Sequence, residues 1–224
     1  MHQYCRIRFI INKLNKISSF FRDPKVFKAI EKLLLKSAPS LLGSGEKLRV
    51  WSAASSTGQE ALSVAMMVKE FNNREKTSLQ VSIIGTDISE RVIEKSKARI
   101  YSQLEVQRGL PAPYLIKYFK KDDQDRWIAS SDLGEVIQFK KLNLKSNFSF
   151  PEKFHLILCR NVLIYQSIES KTEIVKRLTH ELAPGGFLVL GAGESLMGIS
   201  TEFEQQTVDG ALIYQKKPAG VKAA

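Results

Sequence analysis

Leu48-Arg49-Val50-Trp51-Ser52-Ala53 reads as a short apolar strand, and Ala54-Ser55-Ser56-Thr57-Gly58 carries it into a loop of small side chains. A helix starts there, with Leu62, Ala65, Met66 and Phe71 recurring at helical spacing. Val81-Ser82-Ile83-Ile84-Gly85-Thr86-Asp87 is a second strand, too apolar to keep one face wet and so covered on both. Strand, helix and strand in succession form a βαβ unit, the mark of an α/β protein with a mostly parallel sheet.

The same rhythm extends both ways. Upstream, Asp23-Pro24 reads as a capping acid and a proline at the first helical position. Phe27, Ile30, Leu33 and Leu34 share a face there, and Pro39 ends the run. Downstream, Ser89 reads as the cap of a helix running to about Arg99. Val136 to Leu142 and Phe154 to Cys159 are strands, and a helix from about Ile168 places Ile174, Val175, Leu178 and Leu182 on one face. Pro184-Gly185-Gly186 is a turn signal, followed by strands at Phe187 to Leu190 and Ala211 to Gln215. Residues 101–135 break the pattern: Tyr101, Tyr114, Tyr118, Phe119 and Trp127 mix with charges and turn formers, as in an inserted subdomain. The expected organisation is an N-terminal segment and linker helix over 1–46, the main domain over 47–217, and a flexible tail over 218–224.

Composition narrows the classes. The 224 residues are 43% hydrophobic and 25% charged, as in an ordinary globular domain. No apolar run approaches the ~20 residues of a membrane span, and the first residues lack the apolar core of a secretory signal. The expectation is a soluble cytoplasmic protein. Cys5 and Cys159 are too few for a disulfide framework, and Cys159 reads as a small buried hydrophobe. His2, His155 and His180 show no ligand spacing, so no metal site is expected. With 34 basic against 23 acidic residues, the net charge of +11 fits an acidic partner. Neither an RNP-type aromatic motif nor a Cys/His finger is present to make that partner nucleic acid.

In open parallel sheets ligands bind at the carboxyl ends of strands. The residues to weigh are therefore Ser52 to Gly58, Asp87, Asn143-Leu144 and Arg160 to Tyr165. The small loop lacks GxGxxG spacing; it is either a tight turn or a place where a ligand nears the backbone. Asp87, at the tip of the second strand, sits where such folds hold the ribose hydroxyls of an adenosine, and Ser89 is available to cap the next helix instead. Glu60 is either a first-turn acid that suits the helix dipole or a partner for a cationic ligand. Arg160-Asn161 is a polar tip on an apolar strand, and Tyr165 adds an aromatic face four residues on.

Taken together, several stretches resemble one family. They are Ser19-Phe20-Phe21-Arg22-Asp23, Val50 to Glu60, Gly85-Thr86-Asp87-Ile88-Ser89, Asn143-Leu144, Cys159 to Tyr165, Leu182-Ala183-Pro184-Gly185-Gly186 and Gly191 to Leu196. In this order, from about Ser18 to Tyr214, they resemble the CheR family of chemotaxis-receptor methyltransferases, which use S-adenosylmethionine to methylate chemoreceptor glutamates. The resemblance implies a Rossmann-like, seven-stranded class I methyltransferase sheet, its last strand antiparallel, with a small inserted β-subdomain at about 101–135. It implies that Asp87 binds the ribose, that Asn143 and Leu144 frame the adenine, and that Glu60, Arg160 and Asn161 line the methionine and ribose side. Ser18 would belong to the cofactor wall. Arg22 would reach the methionyl end and the reacting carboxylate, with Tyr165 beside the methyl group.

The implied partner is the acidic helical bundle of a chemoreceptor, with a receptor C-terminal peptide added to the inserted subdomain in some members; the enzyme is expected to be a monomer. Departures from the family are Lys16 for an asparagine, Ser18 for a threonine, Gln59 for an acid, His155 for an aspartate and Gln166 for an aromatic residue. About twenty residues precede Phe20, so most of the family's helical N-terminal domain is expected to be missing. A glutamate side chain, with an ordinary pKa of ~4.3, is already the attacking carboxylate at neutral pH. Such a reaction needs alignment and no general base, and alignment alone can be worth ~7–11 kcal/mol. Two other readings are a catalytically reduced module that binds S-adenosylmethionine or S-adenosylhomocysteine as a signal, and a nucleic-acid methyltransferase. The second lacks its Asn/Asp-Pro-Pro-aromatic loop, since Arg160-Asn161-Val162-Leu163 stands there.

Overall fold

The computed structural model of the chain describes residues 18–36, 42–43 and 45–218. The readings made for His2, Cys5, Lys16, Pro39 and the tail from residue 219 lie outside them.

In chain order, α1 (Pro24–Ile30) runs into a π-helical turn at Glu31–Leu35, then come β1 (Leu48–Ser52), α2 (Gln59–Glu75), β2 (Val81–Asp87) and α3 (Glu90–Ala98). An excursion follows: β3 (Ile100–Tyr101), α4 (Gln103–Gln107), α5 (Ala112–Tyr118), β4 (Phe119–Lys121), β5 (Trp127–Ala129) and α6 (Ser131–Gly134). The chain then returns through β6 (Ile137–Lys141), β7 (Phe154–Cys159), α7 (Ile168–Glu181), β8 (Leu182–Leu190), β9 (Phe203–Val208) and β10 (Ala211–Lys216).

Seven strands form one sheet in the order β6-β2-β1-β7-β8-β10-β9, and β3-β5-β4 form a separate three-stranded antiparallel sheet. In the large sheet β6, β2, β1, β7 and β8 are parallel, and β10 runs antiparallel to both of its neighbours. The order reverses between β1 and β7, so a crevice opens at their carboxyl ends.

Side-chain alternation divides the core between the two faces. Along β7, Leu156 and Leu158 join the face covered by α1 and α2, while Ile157 and Cys159 join the face covered by α7. Trp51 belongs to the α7 face, and its indole N–H donates to Thr86 Oγ1 at 2.9 Å. Ile157, Cys159 and Trp51 are all fully buried. Burying a side chain of this kind contributes about 1.5–3 kcal/mol.

The excursion is tied back at two places. On α2, Glu70 accepts from Tyr118 Oη and from Lys117 Nζ, the latter at 2.6 Å. Burial and that carboxylate push the Tyr118 phenol above its ordinary pKa. Near the N-terminal segment, the Phe20 ring packs edge-on against Tyr101 and Phe119, with centroids 5.2 and 5.6 Å away. Phe20 N–H donates to the Arg108 carbonyl at 3.0 Å. The next residue, Gly109, has φ +83°, and a Cβ there would lie 2.0 Å from the Phe20 carbonyl oxygen. Gly109→Ala is therefore expected to cost about 2–3 kcal/mol, from left-handed backbone strain and the clash together. A urea titration checks this; a midpoint equal to that of the unsubstituted chain contradicts it.

Three readings are corrected, and one strand had gone unread. Asp23 does not cap α1: it has φ 58° and makes no side-chain cap bond, its carboxylate going to Arg160 instead. The π turn, closed by Lys36 N–H on the Glu31 carbonyl, adds a residue to the helical turn, so Leu34 and Leu35 are buried and Leu33 is not. Pro184-Gly185-Gly186 is no turn between elements but a bulge inside β8. The register passes from Phe154↔Leu182 to Leu156↔Phe187 across it, with Gly185 at φ +73°, and Leu182 thus belongs to the strand and not to α7. Finally, β9 carries no apolar run: Glu204, Gln205, Gln206 and Thr207 fit an edge strand with a single neighbour.

Candidate functional site

Sheet order brings the ends of β1, β2, β6 and β7 together, and the loops that leave them are held by side chains. After β1, Ser55 N–H donates to Thr86 O at 2.8 Å, which lays the small loop across the tip of β2. Tyr101 Oη donates to Thr57 O at 2.8 Å, and Ser96 Oγ to Ser56 O at 2.8 Å. Gly85 lies beneath; a Cβ there would meet the Phe139 ring at 2.6 Å and Ser55 Oγ at 2.9 Å.

Asp87 ends β2 and is half-buried. Its two oxygens accept from Ser56 N–H at 3.2 Å and Ser89 N–H at 3.0 Å. The Ser89 side chain makes no cap bond, so Asp87 itself tightens the turn into α3. Burial, opposed by those backbone donors, raises the Asp87 carboxyl above its usual range. Beyond β6, Asn143 is exposed and its side-chain oxygen accepts from Lys145 N–H at 3.0 Å, whereas Leu144 is buried against the Trp51 cluster.

Arg160, just past β7, joins three segments. Its side chain is 2% exposed. Nη1 donates to Glu60 Oε2 at 3.2 Å, and Nη2 donates to the Arg22 carbonyl at 2.9 Å and to the Asp23 carboxylate. Glu60 also accepts from Ser52 Oγ at 2.7 Å. The N-terminal strap is held again by Gln59, whose Oε1 accepts from Ser18 Oγ at 2.9 Å and Thr57 Oγ1 at 2.7 Å, and by Phe21 N–H on Ser63 Oγ at 2.9 Å. An amide oxygen thus does here what an acid would do. Arg22 is half-buried on this strap, and Tyr165 stands 45% exposed in the single turn Leu163–Tyr165.

Structure brings Ser18, Arg22, Glu60, Arg160 and Asn161 into one bonded assembly, and places Asp87 across the small loop from it. His155 is elsewhere: it begins β7, at the opposite end from the site, where its Nδ1 accepts from Arg49 N–H at 3.0 Å. Burial lowers its pKa.

Two residues of the assembly had been given no part in the site. Asp23 is one. The other is Glu194, which is 8% exposed and accepts four backbone N–H groups. Oε2 takes Gly191 at 2.7 Å and Asn161 at 2.8 Å; Oε1 takes Leu163 at 2.7 Å and Ile164 at 3.1 Å. Asn161 is thereby held at φ 60°. The signal in the sequence was a lone acid among small residues directly after an apolar strand.

Several polar atoms here are buried without a hydrogen-bond partner: Ser55 Oγ, Ser56 Oγ, Arg160 Nε and Asn161 Oδ1. Leaving such an atom unpaired costs about 1–3 kcal/mol, so a polar ligand fits among them. Small loop, acidic tip and unpaired donors and acceptors suit S-adenosylmethionine.

This strand order with β10 alone reversed, and this furniture at the strand ends, define a class I S-adenosylmethionine-dependent methyltransferase. The chain belongs to the CheR family: residues 16–211 match the model of the CheR methyltransferase SAM-binding domain. It is similar to the chemotaxis protein methyltransferase of Vibrio parahaemolyticus, 36% identical over 199 residues, which cover 88% of this chain and 71% of that one. The chemotaxis protein methyltransferase 1 of Pseudomonas aeruginosa is 36% identical over 205 residues, covering 88% and 73%. The Vibrio anguillarum enzyme is 38% identical over 200 residues, covering 88% and 71%.

Proposed function

We propose that the chain methylates glutamate side chains on the cytoplasmic helices of chemoreceptors, giving methyl esters for sensory adaptation. The carrying observation is the Arg160 bridge, which fixes the strap bearing Arg22 to Glu60 at the start of α2 in a chain of this family. When bound, S-adenosylmethionine supplies a sulfonium-activated methyl group. Asp87 would hold the ribose hydroxyls, Asn143 and Leu144 the adenine edge, and Glu60, Arg160, Asn161 and Ser18 the methionyl side. Arg22 orients the substrate carboxylate with its planar fork. Its grip is for alignment only, because negative charge disappears from the carboxylate as the ester forms. Tyr165 closes the far side of the methyl position.

Among the described residues no helix is long and apolar enough to cross a membrane. The enzyme is read as a cytoplasmic monomer, with its +11 charge attracting an acidic receptor. The edge strand β4 offers a place for a receptor C-terminal peptide to add as a further strand.

Calorimetric titration with S-adenosylhomocysteine tests the cofactor site. Binding is expected to be micromolar for the chain and at least about 30-fold weaker for Asp87→Ala, about 2 kcal/mol, with the circular dichroism unchanged. Equal affinities overturn the assignment. A pH series adds a second check. Ribose hydroxyls donate to the carboxylate form, so affinity is full above the raised pKa of Asp87 and is lost as pH falls through it. In Asp87→Ala that loss is expected to vanish.

A further inference from the structure

The proposed cofactor contacts occupy the ends of β1, β2 and β6 and the tip of β7, and leave one neighbouring surface unused. Beyond β7 and β8, the turn Leu163–Tyr165, the start of α7 and the loop after Leu190 enclose a groove of about 420 Å³. Leu163, Ile164, Ile168, Lys171, Met197 and Ile199 line it. Ile164 is 43%, Ile168 69% and Met197 87% exposed, and Tyr165, next to Ile164, is 45% exposed. Single exposed apolar side chains are ordinary. Here four of the eight large ones exposed among the described residues gather beside the candidate methyl-transfer site, and contiguous patches of that kind mark contact surfaces.

The described lining holds one cation, Lys171, and one acid, Glu194. Both Glu194 oxygens are already taken by backbone N–H groups. Lys171 makes no ion pair among the described residues. The groove is therefore apolar on its walls, with the Lys171 ammonium at one side and the Glu194 carboxylate turned onto backbone N–H groups, and it opens next to the residue assigned to the methyl position.

We infer that this groove seats the substrate: an amphipathic receptor helix whose apolar stripe packs on Ile164, Ile168 and Met197. Its flanking carboxylates face Lys171, and the accepting glutamate projects one turn along, toward Tyr165 and Arg22. Helix-in-groove docking needs apolar anchors three or four residues apart with charges beside them, and an acidic methylation helix supplies both. The inference rests on the methyltransferase reading and goes beyond it by naming the surface that selects the substrate.

The test uses the full chain, radiolabelled S-adenosylmethionine and the purified cytoplasmic fragment of a chemoreceptor from the same organism. Ile168→Glu and Met197→Glu alter highly exposed positions and leave the core intact. Each is expected to raise KM for the receptor fragment about tenfold, the effect of losing one good anchor, with kcat and S-adenosylhomocysteine affinity within twofold. Lys171→Glu is expected to raise KM as well, more at low salt than at high salt. Unchanged KM values in an active enzyme overturn the groove assignment and leave the methyltransferase reading standing. Lost S-adenosylhomocysteine binding in these variants overturns it too, by making the groove part of the cofactor site. A dimer of the unsubstituted chain that dissociates in Ile168→Glu overturns it in favour of a second copy. Absence of methylation by the unsubstituted chain, with the cofactor bound, overturns both readings.

Discussion

Glu194→Ala is expected to remove about 3–5 kcal/mol of stability, a large share of the ~5–15 kcal/mol typical of a folded domain. The side chain gathers the N–H groups of Gly191, Asn161, Leu163 and Ile164 on its two oxygens. With the carboxylate gone, up to four buried donors lose their acceptor, each at about 1–3 kcal/mol before water enters the space. Glu194→Gln is the sharper comparison. Its oxygen keeps one pair of donors, while its NH₂ group faces the other pair donor to donor, so about half the loss is expected. Urea unfolding followed by fluorescence measures both. A change below about 1 kcal/mol in the alanine variant would mean that the loop after β7 is held by its packing and not by this carboxylate.

Arg160→Ala is expected to lower kcat/KM for receptor methylation by 100-fold or more. The guanidinium touches Glu60, the Arg22 carbonyl and the Asp23 carboxylate together. Without it the turn at Phe21 and Asp23, with φ of 43° and 58°, loses the anchor on the Arg22 carbonyl and the Asp23 carboxylate and keeps those at Ser18, Phe20 and Phe21. Small misplacements of an aligning group cost rates of this order. Stability should fall by about 2–3 kcal/mol, less than for a fully buried pair, because Asp23 is 44% exposed and solvent screens it. Arg160→Lys keeps the charge and loses the fork, and should recover stability better than rate. Steady-state kinetics decide; kcat/KM within threefold of the unsubstituted chain removes the bridge from the mechanism.

Much of this site could be read before the fold was known, for a physical reason. Apolar runs such as Ile83-Ile84 and Leu156-Ile157-Leu158 fix where strands lie, and a polar residue at the end of such a run is left at the sheet's carboxyl edge. Asp87, Arg160 and Asn161 were placed at the strand ends in this way, where the fold has them. What could not be read depends on partners distant in sequence. Asp23 beside Pro24 looks like a local cap, and only the fold shows Arg160 as the stronger claimant. Gln59 looked like a weakened acid until Ser18 and Thr57 proved to need an acceptor, which an amide oxygen supplies. Glu194 showed itself only as a lone acid after an apolar strand, and its inward turn depends on donors from two different loops. β9 escaped because an edge strand has one covered side at most, and Glu204 to Thr207 show no apolar alternation.

The strand order also bears on how the chain is made. β1 lies mid-sheet, yet one of its two neighbours, β7, is more than a hundred residues further on; the Arg49–His155 contact spans 106. At about 5–20 residues per second of synthesis, β1 waits roughly 5–20 s for that neighbour. During that interval β1 and β2 can pair, and β6 can join them, but the far side of β1 is an open edge of unpaired backbone and apolar side chains. What ends as an interior strand of the enzyme's sheet therefore begins as an adhesive edge of the nascent polypeptide.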